Sequence, residues 1–138
     1  MRLDHVGVAV PDLAAALAPY RVLGATVGEP FAVEAQGVRA CFVAAGGATV
    51  ELLEPLGAEG PLAGFLRRHP GGGLHHLCHE VADLGAAVAA LEALGARALG
   101  PPRPGAHGRD VVFLHPAALS GVLTELLQAP PGGARGRA

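Results

Sequence analysis

One sequence pattern occurs twice in the chain, and this duplication limits the possible folds more than any other feature. Residues 3–54 match residues 74–128, first at an offset of 71, which aligns His5 with His76. Three extra residues then shift the offset to 74, which aligns Glu51 with Glu125. Two matched halves in 138 residues predict a single domain, residues 1–138, in which two similar modules share one core.

Each half predicts the same order of elements, β-α-β-β-β, and therefore an α+β fold with a curved, cleft-bearing mixed sheet. Apolar alternation predicts the strands, while Asp caps and closing glycines predict the helix limits. The first half predicts a helix at 13–23 and strands at 5–10, 25–27, 38–44 and 49–53. The second predicts a helix at 84–94 and strands at 76–81, 97–99, 110–114 and 121–127.

The segments outside the two modules are rich in proline and glycine. Residues 54–73 predict a linker that carries a short helix near 62–68. Residues 129–138 contain mostly Pro, Gly, Ala and Arg, which predicts a flexible tail.

Composition excludes several classes of partner. A hydrophobic content of 51% supports a sizeable core, and a formal net charge of −2 without a basic block argues against nucleic-acid binding. The chain has no apolar run of the roughly 20 residues that span a bilayer and no signal-peptide pattern, so the expected location is the cytoplasm. In that compartment the isolated Cys41 and Cys78 are expected to be buried thiols.

Strand alternation decides which polar side chains can meet. His5 shares one strand face with small residues, whereas Val6, Val8 and Val10 share the other face and are expected to pack under the first helix. His76 lies on the corresponding face of the second half. If the halves are related by a pseudo-twofold axis, these imidazoles and two matched carboxylates point into one cleft.

A single strand histidine is more often structural than a ligand, and a single Glu in an apolar run is compatible with solvent exposure. Solvent exposure, however, gives no reason for the same residues to match across a repeat. Two imidazoles and two carboxylates suit a borderline divalent cation with open positions. The sequence therefore predicts a metal site made of His5, Glu51, His76 and Glu125.

These features resemble the vicinal oxygen chelate superfamily, which includes glyoxalase I, extradiol dioxygenases, antibiotic-resistance proteins and methylmalonyl-CoA epimerases. The resemblance runs from Leu3 to about Gln128 and is strongest to the epimerases. Segment 102–116 is the most specific, because no ligand argument requires it. The other segments that carry the resemblance are 4–10, 51–55 and 73–76.

The resemblance implies an activity. It implies a metal-dependent epimerase that interconverts (2R)- and (2S)-methylmalonyl-CoA through an enolate in propionate metabolism, as a homodimer. The expected metal is cobalt, manganese, nickel, zinc or magnesium. Inversion needs acid/base groups on both faces of the planar intermediate. Glu34 matches the family's catalytic carboxylate, and Glu125 is either the second acid/base group or only a ligand.

Two other functions remain open from the sequence. Some epimerases carry Gln where Glu51 stands, and a carboxylate there is also what a glyoxalase I-like lyase has. A non-catalytic small-ligand-binding module of the resistance type would not need four metal ligands. An iron dioxygenase is less favoured, because that chemistry typically uses two His and one carboxylate with open positions.

Overall fold

The computed structural model describes residues 1–132, apart from the side chain of His107. Their contacts divide the chain into two compact units. The first unit is residues 5–75, and the second unit is Met1–Asp4 together with the chain from His76 onward. Each unit contains most of one copy of the repeat, and the first unit also contains the linker. The prediction of a single domain stays a prediction.

The first unit is a mixed sheet with two helices. β1 is parallel to β5, β4 is antiparallel to β5, and the short β2 and β3 both pair antiparallel with β4. This combination of helices with parallel and antiparallel strands confirms the predicted α+β class. The elements are β1 (Arg2–Ala9, in this unit from His5), α1 (Leu13–Val22), β2 (Thr26–Val27), β3 (Phe31–Val33), β4 (Val38–Ala45), β5 (Ala48–Pro55) and α2 (Pro61–Arg68).

The second unit repeats this arrangement with fewer elements. β6 is parallel to β9, β8 is antiparallel to β9, and β7 pairs antiparallel with β8. Its register matches the first unit: Gly7 is opposite Glu51, and Cys78 is opposite Glu125. The elements are β6 (Gly73–Val81, in this unit from His76), α3 (Leu84–Ala93), β7 (Arg103–Pro104), β8 (Asp110–Leu114) and β9 (Thr124–Gln128).

Both repeat helices begin with the same capping chemistry. The Asp12 side chain accepts a hydrogen bond from the Ala15 amide at 3.1 Å, and Asp83 accepts from the Ala86 amide at 2.9 Å. A second acceptor comes from the strand that ends each half. Glu54 accepts from the Leu13 amide at 2.6 Å, and Gln128 accepts from the Leu84 amide at 2.9 Å. These acceptors satisfy amides that a helix leaves unpaired at its start.

Each predicted helix also ends where its glycine indicates. Gly24 and Gly95 follow α1 and α3 with φ of 82° and 91°, a conformation that glycine adopts without steric cost. The short helix predicted near 62–68 is confirmed by α2. None of the described helices is long and apolar enough to cross a bilayer.

Apolar side chains cover both faces of the first sheet. Val8 and Val10 pack with Leu13 and Leu17 of α1, as the alternation predicts, although Val8, like Val6, is only partly buried. The opposite face packs against α2 through a second cluster. Cys41 and Cys78 are both buried thiols, as predicted. The second cluster contains Ala9, Val33, Val38, Ala40, Leu53 and Leu62.

The structure corrects three short elements. The strand predicted at 97–99 is reduced to one isolated bridge between Ala98 and Leu114. β3 and β7 were not predicted, because two or three residues are too few to show alternation and proline lies in or beside β7. Of the predicted tail at 129–138, residues 133–138 lie outside the described residues.

Candidate functional site

The first unit holds one buried histidine–glutamate pair. His5 on β1 and Glu51 on β5 are only 4% and 5% exposed, and His5 Nε2 lies 2.6 Å from Glu51 Oε2. The parallel register that sets Gly7 opposite Glu51 brings the two side chains to the same face. Two of the four predicted ligands are therefore in direct contact.

The second unit holds the equivalent pair. His76 on β6 and Glu125 on β9 are each 5% exposed, and His76 Nε2 lies 3.0 Å from Glu125 Oε2. Cys78 is opposite Glu125, so the pair has the same register as its counterpart. The matching inferred from sequence therefore corresponds to matching geometry in each unit.

An aromatic ring orients each imidazole. Phe42 meets His5 edge-on, with ring centroids 5.5 Å apart and planes at 71°, and Phe113 meets His76 at 5.4 Å and 81°. Each Phe lies directly across an antiparallel pair from the glutamate of its unit. Phe42 and Phe113 also match across the repeat, at the same offset of 71 as the two histidines. Their geometry indicates that they limit rotation of the histidine rings.

The chemistry of each pair fits a divalent cation. Each pair presents one imidazole nitrogen and one carboxylate oxygen, which are ligands of zinc and of similar ions. Two ligand atoms about 2.1 Å from one ion and at right angles to it are about 3 Å apart. The separations of 2.6 and 3.0 Å in the two pairs are close to this value. A buried carboxylate also needs a compensating partner, which a cation provides.

Glu34 occupies a different kind of position. It begins a single 3-10 turn, Glu34–Gln36, directly after β3, and its side chain is exposed. Val33 and Val38 on either side of the turn are buried, and the Gly37 amide closes the turn by donating to the Glu34 carbonyl at 3.0 Å. The carboxylate is thus accessible while its backbone is anchored. Its catalytic role stays a prediction.

A third buried carboxylate was not predicted to have a role. Glu80 on β6 is 8% exposed, and its Oε2 accepts hydrogen bonds from Arg109 at 2.6 Å and from Arg2 at 3.1 Å. Arg2 also donates to Asp4 at 2.7 Å. Burial opposes ionisation of Glu80, but the hydrogen bonds from Arg109 and Arg2 outweigh it and hold its pKa below the usual value. In the sequence, the signal for Glu80 is its position on the same strand face as His76.

Comparisons with known proteins identify the family to which this chain is similar. A sequence model of the Glyoxalase/Bleomycin resistance protein/Dioxygenase superfamily matches residues 4–113. The chain is 51% identical to the ethylmalonyl-CoA/methylmalonyl-CoA epimerase of Cereibacter sphaeroides over 130 residues, covering 92% of this chain and 97% of that protein.

Solved structures of similar proteins agree with this match. The crystal structure of methylmalonyl-CoA epimerase from Mycobacterium tuberculosis has a TM-score of 0.85 and 34% identity, over 94% of this chain and 89% of that one. A methylmalonyl-CoA epimerase solved in complex with methylmalonyl-CoA and NH4+ has a TM-score of 0.85 and 34% identity, over 96% of each chain.

Proposed function

This chain belongs to the Glyoxalase/Bleomycin resistance protein/Dioxygenase superfamily, and on that premise we propose that it interconverts the two C2 epimers of methylmalonyl-CoA. It is an enzyme of the isomerase class. The observation that carries the proposal is the identity of 51% to an epimerase named for this reaction, over 97% of that protein. The two buried histidine–glutamate pairs support it, because each presents an imidazole nitrogen and a carboxylate oxygen that suit a divalent ion.

We further propose that His5, Glu51, His76 and Glu125 together hold one divalent ion. The support is that each unit contributes one imidazole and one carboxylate, in the same register and with the same aromatic neighbour. The donor set suits cobalt, manganese, nickel, zinc or magnesium. When bound, the ion supplies positive charge that stabilises an enolate oxygen.

The protein's own groups then move the proton. In the proposed reaction the carboxylate of Glu34 takes the proton from C2 of the acyl group, and the electron pair of the broken C–H bond moves onto the thioester oxygen. A proton returned to C2 from the opposite face gives the other epimer. Glu125 is our candidate for that second group. Glu34 suits the first step because its carboxylate is exposed and lies outside the buried pairs.

Exchange of the C2 proton of methylmalonyl-CoA in heavy water tests the function directly. We expect the purified protein to catalyse the incorporation of deuterium at C2 and to lose this activity when a chelator removes the metal. Absence of exchange by the metal-loaded protein would refute the proposal.

A glyoxalase I-like lyase is the second candidate, and the carboxylate of Glu51 is the observation that favours it. The same preparation should therefore be offered a hemithioacetal of glutathione. Turnover of this compound without turnover of methylmalonyl-CoA would transfer the assignment to glyoxalase chemistry.

We also propose that the enzyme acts as a homodimer in the cytoplasm, within propionate metabolism. The support is the resemblance to the epimerases. Light scattering on the purified protein should give twice the chain mass of 13.8 kDa, and a mass of one chain at micromolar concentration would contradict the dimer.

A further inference from the structure

Glu80 takes no part in the proposed chemistry, yet it is buried and bound by two arginines. Burying a carboxylate costs free energy unless well-placed partners compensate its charge, so the buried position of Glu80 needs an explanation. The partner with the clearest structural consequence is Arg109. This residue directly follows a turn at residues 105–108, which we name the 105–108 turn.

The 105–108 turn is tightly built. The Gly105 amide donates to the Arg109 carbonyl at 2.8 Å and closes the turn. A Cβ atom at Gly105 would lie 2.7 Å from Val111 Cγ1, so a larger residue does not fit there without movement. The Arg109 side chain then reaches Glu80 across 29 positions of sequence. This contact ties the closed turn to β6.

Glu80 lies on the face of β6 that carries a predicted metal ligand. His76, Cys78 and Glu80 alternate with residues of the other face. Four residues of strand separate His76 from Glu80 by about 13 Å. Because Arg109 reaches Glu80, the turn is tied to β6 at a point four residues along the strand from His76.

Open space lies beside the same turn. A cleft of about 550 Å³ is bounded by Gly108, Arg109 and Asp110 together with Ala82 and residues 128–132. This volume is within the range of clefts that bind small molecules, about 300–1,000 Å³. The charge of Arg109 is already offset by Glu80, so Arg109 itself adds little net charge to the surface beside the cleft.

The proposed substrate has a part that fits this distance. The reacting acyl group of an acyl-CoA is joined to the nucleotide by an uncharged pantetheine arm with two amide groups. The arm is about as long as four or five extended residues, roughly 15 Å. An arm that starts at a thioester held near His76 and runs along β6 would reach the 105–108 turn.

We propose that Glu80 is a positioning residue for the pantetheine arm of the acyl-CoA substrate. Through Arg109 it holds the 105–108 turn beside the path of the arm, so that the turn forms one wall of the arm's binding site. This inference rests on the proposed function. The inference also gives a role to residues 102–108. They belong to segment 102–116, which carries the most specific resemblance and contains no predicted metal ligand.

The experiment compares two thioesters of methylmalonate. One is the coenzyme A thioester, and the other is the N-acetylcysteamine thioester, which lacks the nucleotide and most of the arm. For Glu80→Gln we expect the KM for the coenzyme A thioester to rise roughly ten- to a hundredfold, because binding that is equal in the ground state and the transition state is lost. We expect kcat with this substrate, and kcat/KM with the short thioester, to stay within about twofold. Glu92→Gln, at an exposed position on α3, is the matched control and should change neither.

Arg109→Gln provides a second route if Glu80→Gln does not fold, because Arg2 still neutralises Glu80 in that variant. It should produce the same selective loss. Equal losses of kcat/KM for both thioesters in these variants would assign Glu80 a structural role. No loss of kcat/KM for either thioester would leave Glu80 without a role. Either result overturns the inference. If the wild-type protein epimerises neither thioester, the proposed function itself fails, and the inference fails with it.

Discussion

Replacement of Glu34 by Gln tests the proposed chemistry most directly, because the structure separates this residue from the buried pairs. The side chain is exposed, and the turn is closed by a backbone hydrogen bond to the Glu34 carbonyl that the substitution retains. The buried anchors of the turn, Val33 and Val38, are untouched. We therefore expect the free energy of unfolding to change by no more than about 0.5 kcal/mol.

The expected effect on the reaction is much larger. A positioned general base contributes about two to four orders of magnitude to the rate. This corresponds to about 2.7–5.4 kcal/mol of activation free energy. Since Glu34 is proposed to serve one face of C2, deuterium exchange should be lost from one epimer of methylmalonyl-CoA and largely kept for the other. The epimerisation rate needs both faces and should fall by the full amount.

Three measurements on the same preparation separate the possible causes. Exchange at C2 reports each face, mass spectrometry of the native protein reports the bound metal, and thermal unfolding reports stability. Glu59→Gln, an exposed carboxylate in the same unit, is the matched control and should retain all three properties. An unchanged epimerisation rate in Glu34→Gln would refute the role of Glu34. A parallel loss of metal would show that it acts as a ligand instead.

Three further predictions follow from the buried groups. The protein should bind about one divalent ion per chain, and His76→Ala should abolish both binding and activity; full metal content in both His5→Ala and His76→Ala would disprove the shared site. Phe113→Leu and Phe42→Leu should each weaken metal binding by about two- to tenfold, which equilibrium titration would measure, because an edge-on aromatic contact contributes about 0.5–1.5 kcal/mol. The lowered pKa of Glu80 should stabilise the fold above about pH 4.3, the ordinary value for Glu, and this stability should be lost as the pH falls through the lowered pKa. Melting curves of Glu80→Gln should lack this part of the acid dependence, and identical pH profiles for the two proteins would count against it.

Features that depend on local rules were predictable from the sequence alone. The α+β class and the limits of the main helices followed from apolar alternation, from the caps Asp12 and Asp83, and from the glycines that close α1 and α3. The choice of candidate ligands came from the repeat itself. A histidine and a glutamate that recur at the same register positions mark equivalent places in two similar units, whatever the packing around them.

Tertiary structure alone decided the contacts between side chains that are distant in sequence. It placed each histidine within 3.0 Å of its glutamate, set Phe42 and Phe113 against the imidazoles, and joined Arg109 to Glu80. It also created the short strands β3 and β7, whose few residues are held by pairing with a neighbour. The physical reason is the same in each case. Periodicity and capping act over a few residues, whereas strand register and side-chain packing bring together groups whose separation in the sequence carries no signal.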